Sequence, residues 1–214
     1  MPPARAPRAI CLIGMSNIGK SHWAARLADE AGFEVVDCDS LLTRRLFPEA
    51  TDCADLRALA DWLGQPGEPR YEDNSRRLLA AEREVMLAVI ARLRADAGTR
   101  PLVIDTGGSV IHAGDDVLAA LRGLSRVVYL EATPAQRERL YARYLAEPKP
   151  LIWGDAWRPA PGEAVDAARR RCYPALLAAR AARYAGLAEI TLPADLMSRP
   201  EGLASLLSRV DGGP

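Results

Sequence analysis

A stretch near the start of the chain has the residue types and spacing needed to hold a polyphosphate. It follows an apolar run and fits the pattern GxxxxGK[ST], as Gly14-Met15-Ser16-Asn17-Ile18-Gly19-Lys20-Ser21. The glycines allow tight turns, the Lys20 ammonium can reach the β- and γ-phosphates, and the Ser21 hydroxyl can ligate Mg²⁺. We expect this loop and the next residue, His22, to bind a nucleotide at the N-terminus of a helix.

Two carboxylates follow the next apolar segment. Residues 33–36 are predicted to form a strand, and Asp37 and Asp39 come directly after it at alternate positions. In an open parallel sheet the ligand crevice lies at the carboxyl ends of the strands, so both acids point toward the phosphate loop if the strands share a sheet. The alternative is that Asp39 or Ser40 caps a helix over residues 41–47. The two roles are compatible, and the upstream loop favours a functional site.

Two further carboxylates occupy unusual positions. Asp105 ends a third predicted strand and precedes Thr106-Gly107-Gly108-Ser109, where adjacent glycines permit a tight turn close to a ligand. Asp105 either ligates Mg²⁺ through water or caps this turn. Glu82 interrupts the apolar face of the longest predicted helix, residues 74–96. A charge on a buried face is either paired or functional, so we expect an arginine partner near Glu82.

The elements that must hold these residues alternate between strand and helix. Strands are predicted near residues 9–13, 33–36, 102–104, 126–130 and 189–192, with helices between them. This alternation predicts an α/β fold of three layers, a five-stranded parallel sheet flanked by helices. Pro174 predicts an interruption or a kink in the helix that begins near Glu163.

The chain is predicted to form a single domain over residues 1–214. This length suffices for one well-buried domain with a lid, but not for two full domains. Residues 146–161 carry four prolines and two tryptophans without a regular period, which predicts a lid. The alternative is an ordered loop that its tryptophans hold in place. Residues 48–72 form a peripheral insertion, either a flap on the substrate side or a surface segment.

Composition excludes several classes of function. Lys plus Arg and Asp plus Glu both number 28, without a long basic run, so we expect small ligands and no nucleic-acid partner. No stretch approaches the length of a membrane span. The four cysteines, Cys53 among them, form no CxxC pair, and only two histidines are present, which argues against zinc sites and histidine triads. We expect a cytoplasmic monomer.

Taken in order, these features resemble the shikimate kinases among the small P-loop kinases. The phosphate loop is specific only to a superfamily, whereas the ordered set points to the family. The resemblance extends over residues 10–192 and rests on GMSNIGKS, the DxD of Asp37 and Asp39, the paired glycines, Lys149-Pro150-Leu151, and Arg180 with Tyr184. It implies a P-loop NTPase-type fold with a mobile lid, and transfer of a phosphoryl group from MgATP to an alcohol.

The resemblance also implies a role for each matching residue. Lys20 would bind the β- and γ-phosphates, and Ser21 and Asp37 would hold Mg²⁺ directly or through water. Asp39 would bind and polarise the accepting hydroxyl, and Lys149 would close over the transferring group. The implied substrate site contains Asp39, Gly107, Gly108, Ser109, Lys149 and Arg180, and the last of these would hold a substrate carboxylate.

Three departures from the family pattern fall on the acceptor side. The family motif Phe-Arg-x-x-Glu keeps its acid as Glu82 but has Leu79 in place of the arginine. Ser109 replaces the third glycine, and Lys149 replaces an arginine, which keeps the charge but loses bidentate geometry. The donor half of the site is therefore expected to be intact and the acceptor half rebuilt. The candidates to replace the lost guanidinium are Arg76, Arg77 and Arg83.

We therefore expect an ATP-dependent kinase of a small, hydroxylated, anionic metabolite, with shikimate as the named candidate. The enzymatic alternative is a related kinase of another polyol acid, such as a gluconate-like substrate. The alternative from another class is a nucleotide-binding regulatory protein that transfers to no small molecule, although the acceptor-side residues argue against it. An adenylate-type nucleotide kinase would need more lid arginines than this chain has.

Overall fold

Parallel strands form one central sheet in the computed structural model. Among the described residues the sheet has five strands in the order β2-β3-β1-β4-β5. They are β1 (Ala9–Ile13), β2 (Glu34–Asp37), β3 (Leu102–Asp105), β4 (Arg126–Glu131) and β5 (Ile190–Pro193). The predicted α/β fold class, with five parallel strands flanked by helices, is confirmed.

The structure describes residues 9–49, 56–95, 100–147, 149–199 and 201–212. Several sequence predictions fall outside these ranges. They concern Cys53, the start of the helix predicted from Ala54, the last residue of the longest predicted helix, and position 148 of the predicted lid. Within the described ranges, no helix combines the length and the apolar character needed to cross a membrane.

Helices connect and cover the strands. They are α1 (Lys20–Ala31), α2 (Cys38–Leu46), α3 (Leu56–Leu63), α4 (Tyr71–Ala95), α5 (Asp115–Leu124), α6 (Pro134–Ala146), α7 (Val165–Leu187) and α8 (Gly202–Gly212). The expected interruption at Pro174 is wrong, because α7 continues through it. Pro174 lies on the exposed side of this helix, while Tyr173 and Leu176 anchor it in the core on either side.

Helix α2 begins earlier than the sequence suggested. It starts at Cys38, and Asp37 is its N-cap: the backbone N–H of Ser40 donates to Asp37 Oδ1 over 3.0 Å. The Ser40 hydroxyl donates to the other carboxylate oxygen over 2.5 Å. Capping therefore belongs to Asp37 and not to Asp39 or Ser40, because the chain turns into the helix as soon as β2 ends. Asp39 lies in the first helical turn.

Burial of the central strands explains their apolar sequences. Every residue of β1 and β3 is buried, as expected for parallel strands that are covered on both faces. Trp23 and Leu27 of α1 and Met86 of α4 belong to the same core cluster as these strands. The packing fixes the ends of β1, β2 and β3 side by side, so the residues that follow these strands share one edge of the sheet.

Candidate active site

The phosphate loop connects the end of β1 to the start of α1. Asn17 and Gly19 have φ angles of 64° and 105°, in the left-handed region. Gly14 has a φ of 146°, and a Cβ there would lie 2.9 Å from the Leu130 carbonyl oxygen. Lys20 is buried, and its ammonium donates to the carbonyl oxygens of Gly14 and Met15 over 3.1 Å each. The loop therefore has the backbone form and the cation that a polyphosphate site needs.

The charge of Lys20 connects the two halves of the site. Burial lowers the pKa of its ammonium, while Asp105 and Asp39 act in the opposite direction. Lys149 and Arg180 lie near enough to lower it further. The structure thus brings together five of the charged residues singled out from the sequence, from five separate parts of the chain.

Asp105 stands beside the residues predicted to hold the metal. It is 7% exposed and faces Asp37 across the register of β2 and β3. Burial raises the pKa of Asp105, whereas the Lys20 ammonium and a hydrogen bond with the Ser21 hydroxyl lower it. The sequence left Asp105 undecided between a metal ligand and a cap. The signal in the sequence is an acid that ends the strand next to the phosphate-loop strand.

Oxygen donors at this edge suit Mg²⁺. Among the described residues there is no group of three or more His, Cys, Asp or Glu that could form a metal site by itself. Mg²⁺ in kinases is bound through one or two carboxylates, with waters and substrate phosphates as the other ligands. The Ser21 hydroxyl with the Asp37 and Asp105 carboxylates fits that pattern.

Two carboxylates converge on the glycine turn that follows β3. A Cβ at Gly107 would lie 2.9 Å from Glu82 Oε1 and 3.1 Å from Asp39 Oδ1. Removal from water raises the pKa of the Asp39 carboxyl, and the Lys20 ammonium opposes this. Gly107 is therefore needed where it is, because any side chain would occupy the space between the two acids.

Glu82 is the least expected member of the site. It is 3% exposed, and neither carboxylate oxygen makes a hydrogen bond of good geometry in the described part of the chain, although the Ser109 hydroxyl lies beside it. Burial raises the pKa of Glu82 to about 7, although the Ser109 hydroxyl and the charge of Arg180 lower it. The arginine partner expected from the sequence is not found: no ion pair within the described ranges includes Glu82.

The three candidate replacements for the family arginine have other partners. Arg76 pairs with Asp73 over 3.1 Å. The Arg77 guanidinium lies 5.2 Å from the ring centroid of Trp62. Arg83 pairs with Asp116 over 2.7 Å on the exposed side of α4. Leu79 therefore stands where the family has an arginine, and none of these three neighbours replaces the missing positive charge.

Arg180 ties the glycine turn to the predicted lid. It is 3% exposed, and its two terminal nitrogens donate to the carbonyl oxygens of Gly108 and Ile152 over 2.9 and 2.7 Å. The Tyr184 hydroxyl donates to the same Gly108 oxygen. Arg180 Nε is buried without a hydrogen-bond partner within the described residues. Ser16 of the phosphate loop lies on the other side of the turn, since a Cβ at Gly108 would be 2.8 Å from its hydroxyl.

The described part of the predicted lid lies packed against the core. Trp153 is 2% exposed, and its ring centroid is 5.8 Å from that of Trp157. The Tyr71 hydroxyl donates to the Leu151 carbonyl over 2.8 Å and accepts from the Trp153 backbone N–H over 2.9 Å. Lys149 is half-buried and precedes Leu151 and Trp153 in the chain. Its ammonium lies near enough to the phosphate loop to lower the pKa of Lys20.

The remaining predicted residues lie at the margin of the site. Ile18 is buried and Ser16 half-buried in the loop, while Ser21 and His22 are exposed in the first turn of α1. Ser109 lies half-buried after the glycine turn, close to Glu82. Arg143 of α6 donates to the Asn17 carbonyl over 3.3 Å and so supports the loop from outside.

Comparisons with known proteins identify a matching family and similar chains. A family model described as an AAA domain matches residues 10–175. Two curated relatives, shikimate kinases of two Caulobacter vibrioides strains, are each 30% identical over 123 residues. This alignment covers 56% of the chain and 56% of each relative. The chain thus spans little more than half the length of the curated relatives that it matches.

Solved structures share the fold. The shikimate kinase of Acinetobacter baumannii in complex with shikimate has a TM-score of 0.60 and 22% identity, with 96% of this chain and 90% of that chain covered. The shikimate kinase of Bacteroides thetaiotaomicron has a TM-score of 0.58 and 19% identity, with 95% and 96% covered. The resemblance stated from the sequence is confirmed, and these two structures carry it at the level of the fold.

Proposed function

This chain belongs to the AAA-domain family whose model it matches, and on that premise we propose that it is an ATP-dependent phosphotransferase acting on a hydroxyl of a small metabolite. The observation that supports this most is the convergence of Lys20, Asp39 and Asp105 at the edge of the sheet where the phosphate loop begins. A protein that only binds nucleotide needs no buried carboxylates beside the glycine turn. We propose shikimate as the acceptor, converted to shikimate 3-phosphate, because the curated relatives are shikimate kinases.

The donor half binds and orients ATP. The backbone of residues 14–19 and the start of α1 offer N–H groups to the phosphates, and Lys20 neutralises charge between the β- and γ-phosphates. Ser21, Asp37 and Asp105 are the residues that would hold Mg²⁺, which supplies further neutralisation of phosphate charge. Lys149 reaches the transferring group from the segment that carries the tryptophans. Positioning and charge neutralisation are the main sources of rate acceleration in this reaction.

The acceptor half presents the hydroxyl. Asp39 accepts a hydrogen bond from it and polarises it, and the Lys20 ammonium lies near enough to this carboxylate to lower its pKa. The hydroxyl oxygen forms a bond to phosphorus as the bond from phosphorus to the β,γ-bridging oxygen breaks, and Asp39 takes the hydroxyl proton. Gly107 and Gly108 leave room for the acceptor beside this carboxylate.

The test is the rate of ADP formation from MgATP with and without shikimate, in the native protein and in Asp39→Asn. We expect shikimate to stimulate the native protein and the variant to lose about a hundredfold or more of that rate. ATP binding, measured by titration calorimetry, should stay unchanged in the variant. Full turnover in Asp39→Asn would refute the role of this residue, and a lack of stimulation would refute shikimate as the acceptor.

A second candidate is a kinase of another hydroxy acid or polyol acid, such as a gluconate-like substrate. The observation that favours it is Leu79, since a carboxylate-binding arginine is absent where the family has one. A panel of hydroxy acids in the same assay separates the two candidates.

We further propose that residues 1–214 act as one domain, as a monomer in the cytoplasm. Cys11, Cys38 and Cys172 are free and buried, which suits a reducing compartment. Residues 146–161 would act as a lid that closes over ATP and acceptor. Unchanged tryptophan fluorescence on addition of MgATP and acceptor would contradict lid closure, and sedimentation equilibrium tests the monomer.

A further inference from the structure

We propose that Glu82 binds a second hydroxyl of the acceptor, so that the protein recognises a polyol by two carboxylates and does not depend on an acceptor carboxylate. This inference rests on the proposed function, and it concerns which groups of the acceptor the protein binds. Asp39 binds the hydroxyl that is phosphorylated, and Glu82 binds a neighbouring one.

The first argument is the lack of a partner. Both oxygens of Glu82 are buried, and the Ser109 hydroxyl beside them makes no hydrogen bond of good geometry within the described part of the chain. A buried carboxylate without donors is costly, and buried polar groups in folded proteins are nearly always satisfied. The neighbouring arginines are engaged with Asp73, Trp62 and Asp116. Because the single hydroxyl of Ser109 cannot satisfy both oxygens of Glu82, a bound molecule can supply the donors that are lacking.

The second argument is the chemistry that the surroundings of Glu82 allow. Asp39, Arg180 and Lys20 act on it with their charges, and the Ser109 hydroxyl lies beside it. A substrate carboxylate here would face two acids, and a substrate ammonium would face two cations. A hydroxyl donates to a carboxylate and accepts from a guanidinium, so it suits both neighbours. Arg180 Nε, which is buried without a partner among the described residues, is one donor that such a hydroxyl can use.

The third argument is the position of the two acids. Glu82 Oε1 and Asp39 Oδ1 lie 2.9 and 3.1 Å from the same point, the place of a Cβ on Gly107. Hydroxyls that reach both oxygens must therefore lie close together on one molecule, as they do on neighbouring carbon atoms. Arg180 is less suited to holding a carboxylate, because both of its terminal nitrogens already donate to backbone carbonyls.

The experiment compares two acceptors and three variants. Shikimate and its methyl ester have the same hydroxyls, but the ester has no carboxylate charge. In the native protein we expect their kcat/KM values to agree within about threefold. If the protein makes no contact with the acceptor carboxylate, then removing the charge of that group does not weaken binding. Glu82→Leu should raise KM for both acceptors by about tenfold or more and change kcat much less, as the loss of one hydrogen bond to a charged group predicts.

Two further variants separate recognition from structure. Glu82→Gln keeps an oxygen that can accept from a hydroxyl, so its KM should fall between those of the native protein and Glu82→Leu. Glu84→Gln changes an exposed acid on the opposite side of α4 and should leave KM unchanged. An unchanged KM in Glu82→Leu, or a methyl ester that is not phosphorylated while shikimate is, would overturn the inference.

Failure of the proposed function gives a different result. In that case neither acceptor stimulates ADP formation, although MgATP still binds to the native protein. The inference is then decided by melting temperatures with myo-inositol and sorbitol, two neutral polyols, in the native protein and Glu82→Leu. A shift that depends on Glu82 supports a polyol site, and the absence of any such shift overturns it.

Discussion

Asp37 at the end of β2 lies directly opposite Asp105 at the end of β3, so that two acids occupy neighbouring strand ends. The two carboxylates differ in their surroundings. Asp37 is exposed and caps α2, whereas Asp105 is buried beside Lys20 and hydrogen-bonds with the Ser21 hydroxyl. Both carboxylates lie at the same edge of the sheet, so Asp37 combines a capping role with the proposed metal role that it shares with Asp105.

Asp105→Asn is expected to raise the Mg²⁺ concentration needed for half-maximal ADP formation by about tenfold, because one of two carboxylate charges on the metal side is removed. High Mg²⁺ should restore part of the rate. The measurement is a MgCl₂ titration at saturating ATP. Asp115→Asn, an exposed acid in the first turn of α5, is the matched control. An unchanged Mg²⁺ dependence in Asp105→Asn would count against a metal role.

Gly107→Ala is expected to abolish acceptor-dependent turnover and to spare ATP binding, because its Cβ would enter the space between Glu82 and Asp39. The measurements are ADP formation with and without acceptor, and calorimetric titration with ATP. Gly123→Ala in α5 is the control, since nothing lies within 4 Å of its added Cβ. Native turnover in Gly107→Ala would show that the acceptor binds elsewhere.

Glu82 should make the ligand-free protein less stable as the pH rises from about 4.5 to 7. Its pKa in the folded protein is raised to about 7, so the folded state holds a proton that the unfolded state has lost in this range. The loss from this group is on the order of 3 kcal/mol in the free energy of unfolding. Urea unfolding near pH 5 and pH 8 measures it. Glu82→Gln should remove the dependence that belongs to this residue.

The contribution of Asp39 has the same sign, since its pKa is also raised, and it should persist in Glu82→Gln. The informative quantity is therefore the difference between the native protein and the variant at each pH. Glu84→Gln provides the control for an exposed acid on the same helix. A difference that stays constant from pH 5 to pH 8 would show that Glu82 titrates normally.

Tyr71→Phe is expected to lower the free energy of unfolding by about 1–3 kcal/mol, because the Leu151 carbonyl and the Trp153 N–H lose their partner. It should also speed chymotryptic cleavage after Trp153 or Trp157 and shift tryptophan emission to longer wavelength. Tyr141→Phe, at a ring that packs on Tyr173, is the control. Unchanged proteolysis would mean that other contacts hold the segment.

The sequence was sufficient to predict the parts of the site that depend on local sequence patterns. Motif, period and alternation were enough to predict the loop from Gly14 to Ser21, the strand ends at Asp37 and Asp105, and the five parallel strands of the sheet. It did not place α2 correctly, because the cap geometry of Asp37 depends on where β2 ends against β3. The sequence left Glu82 either paired with an arginine or functional, and only the packed structure shows that Arg76, Arg77 and Arg83 contact other partners.

The two halves of the site differ in how far apart their contacts lie along the chain. Lys20 meets Gly14 six residues away, whereas Arg180 meets Gly108 across 72 residues and Tyr71 meets Leu151 across 80. Short loops close at little entropic cost, and long ones close only after much of the chain is ordered. We therefore expect the phosphate loop to form during folding before the contacts around the acceptor. On this expectation the chain gains the capacity to hold phosphate before it gains the capacity to select an alcohol.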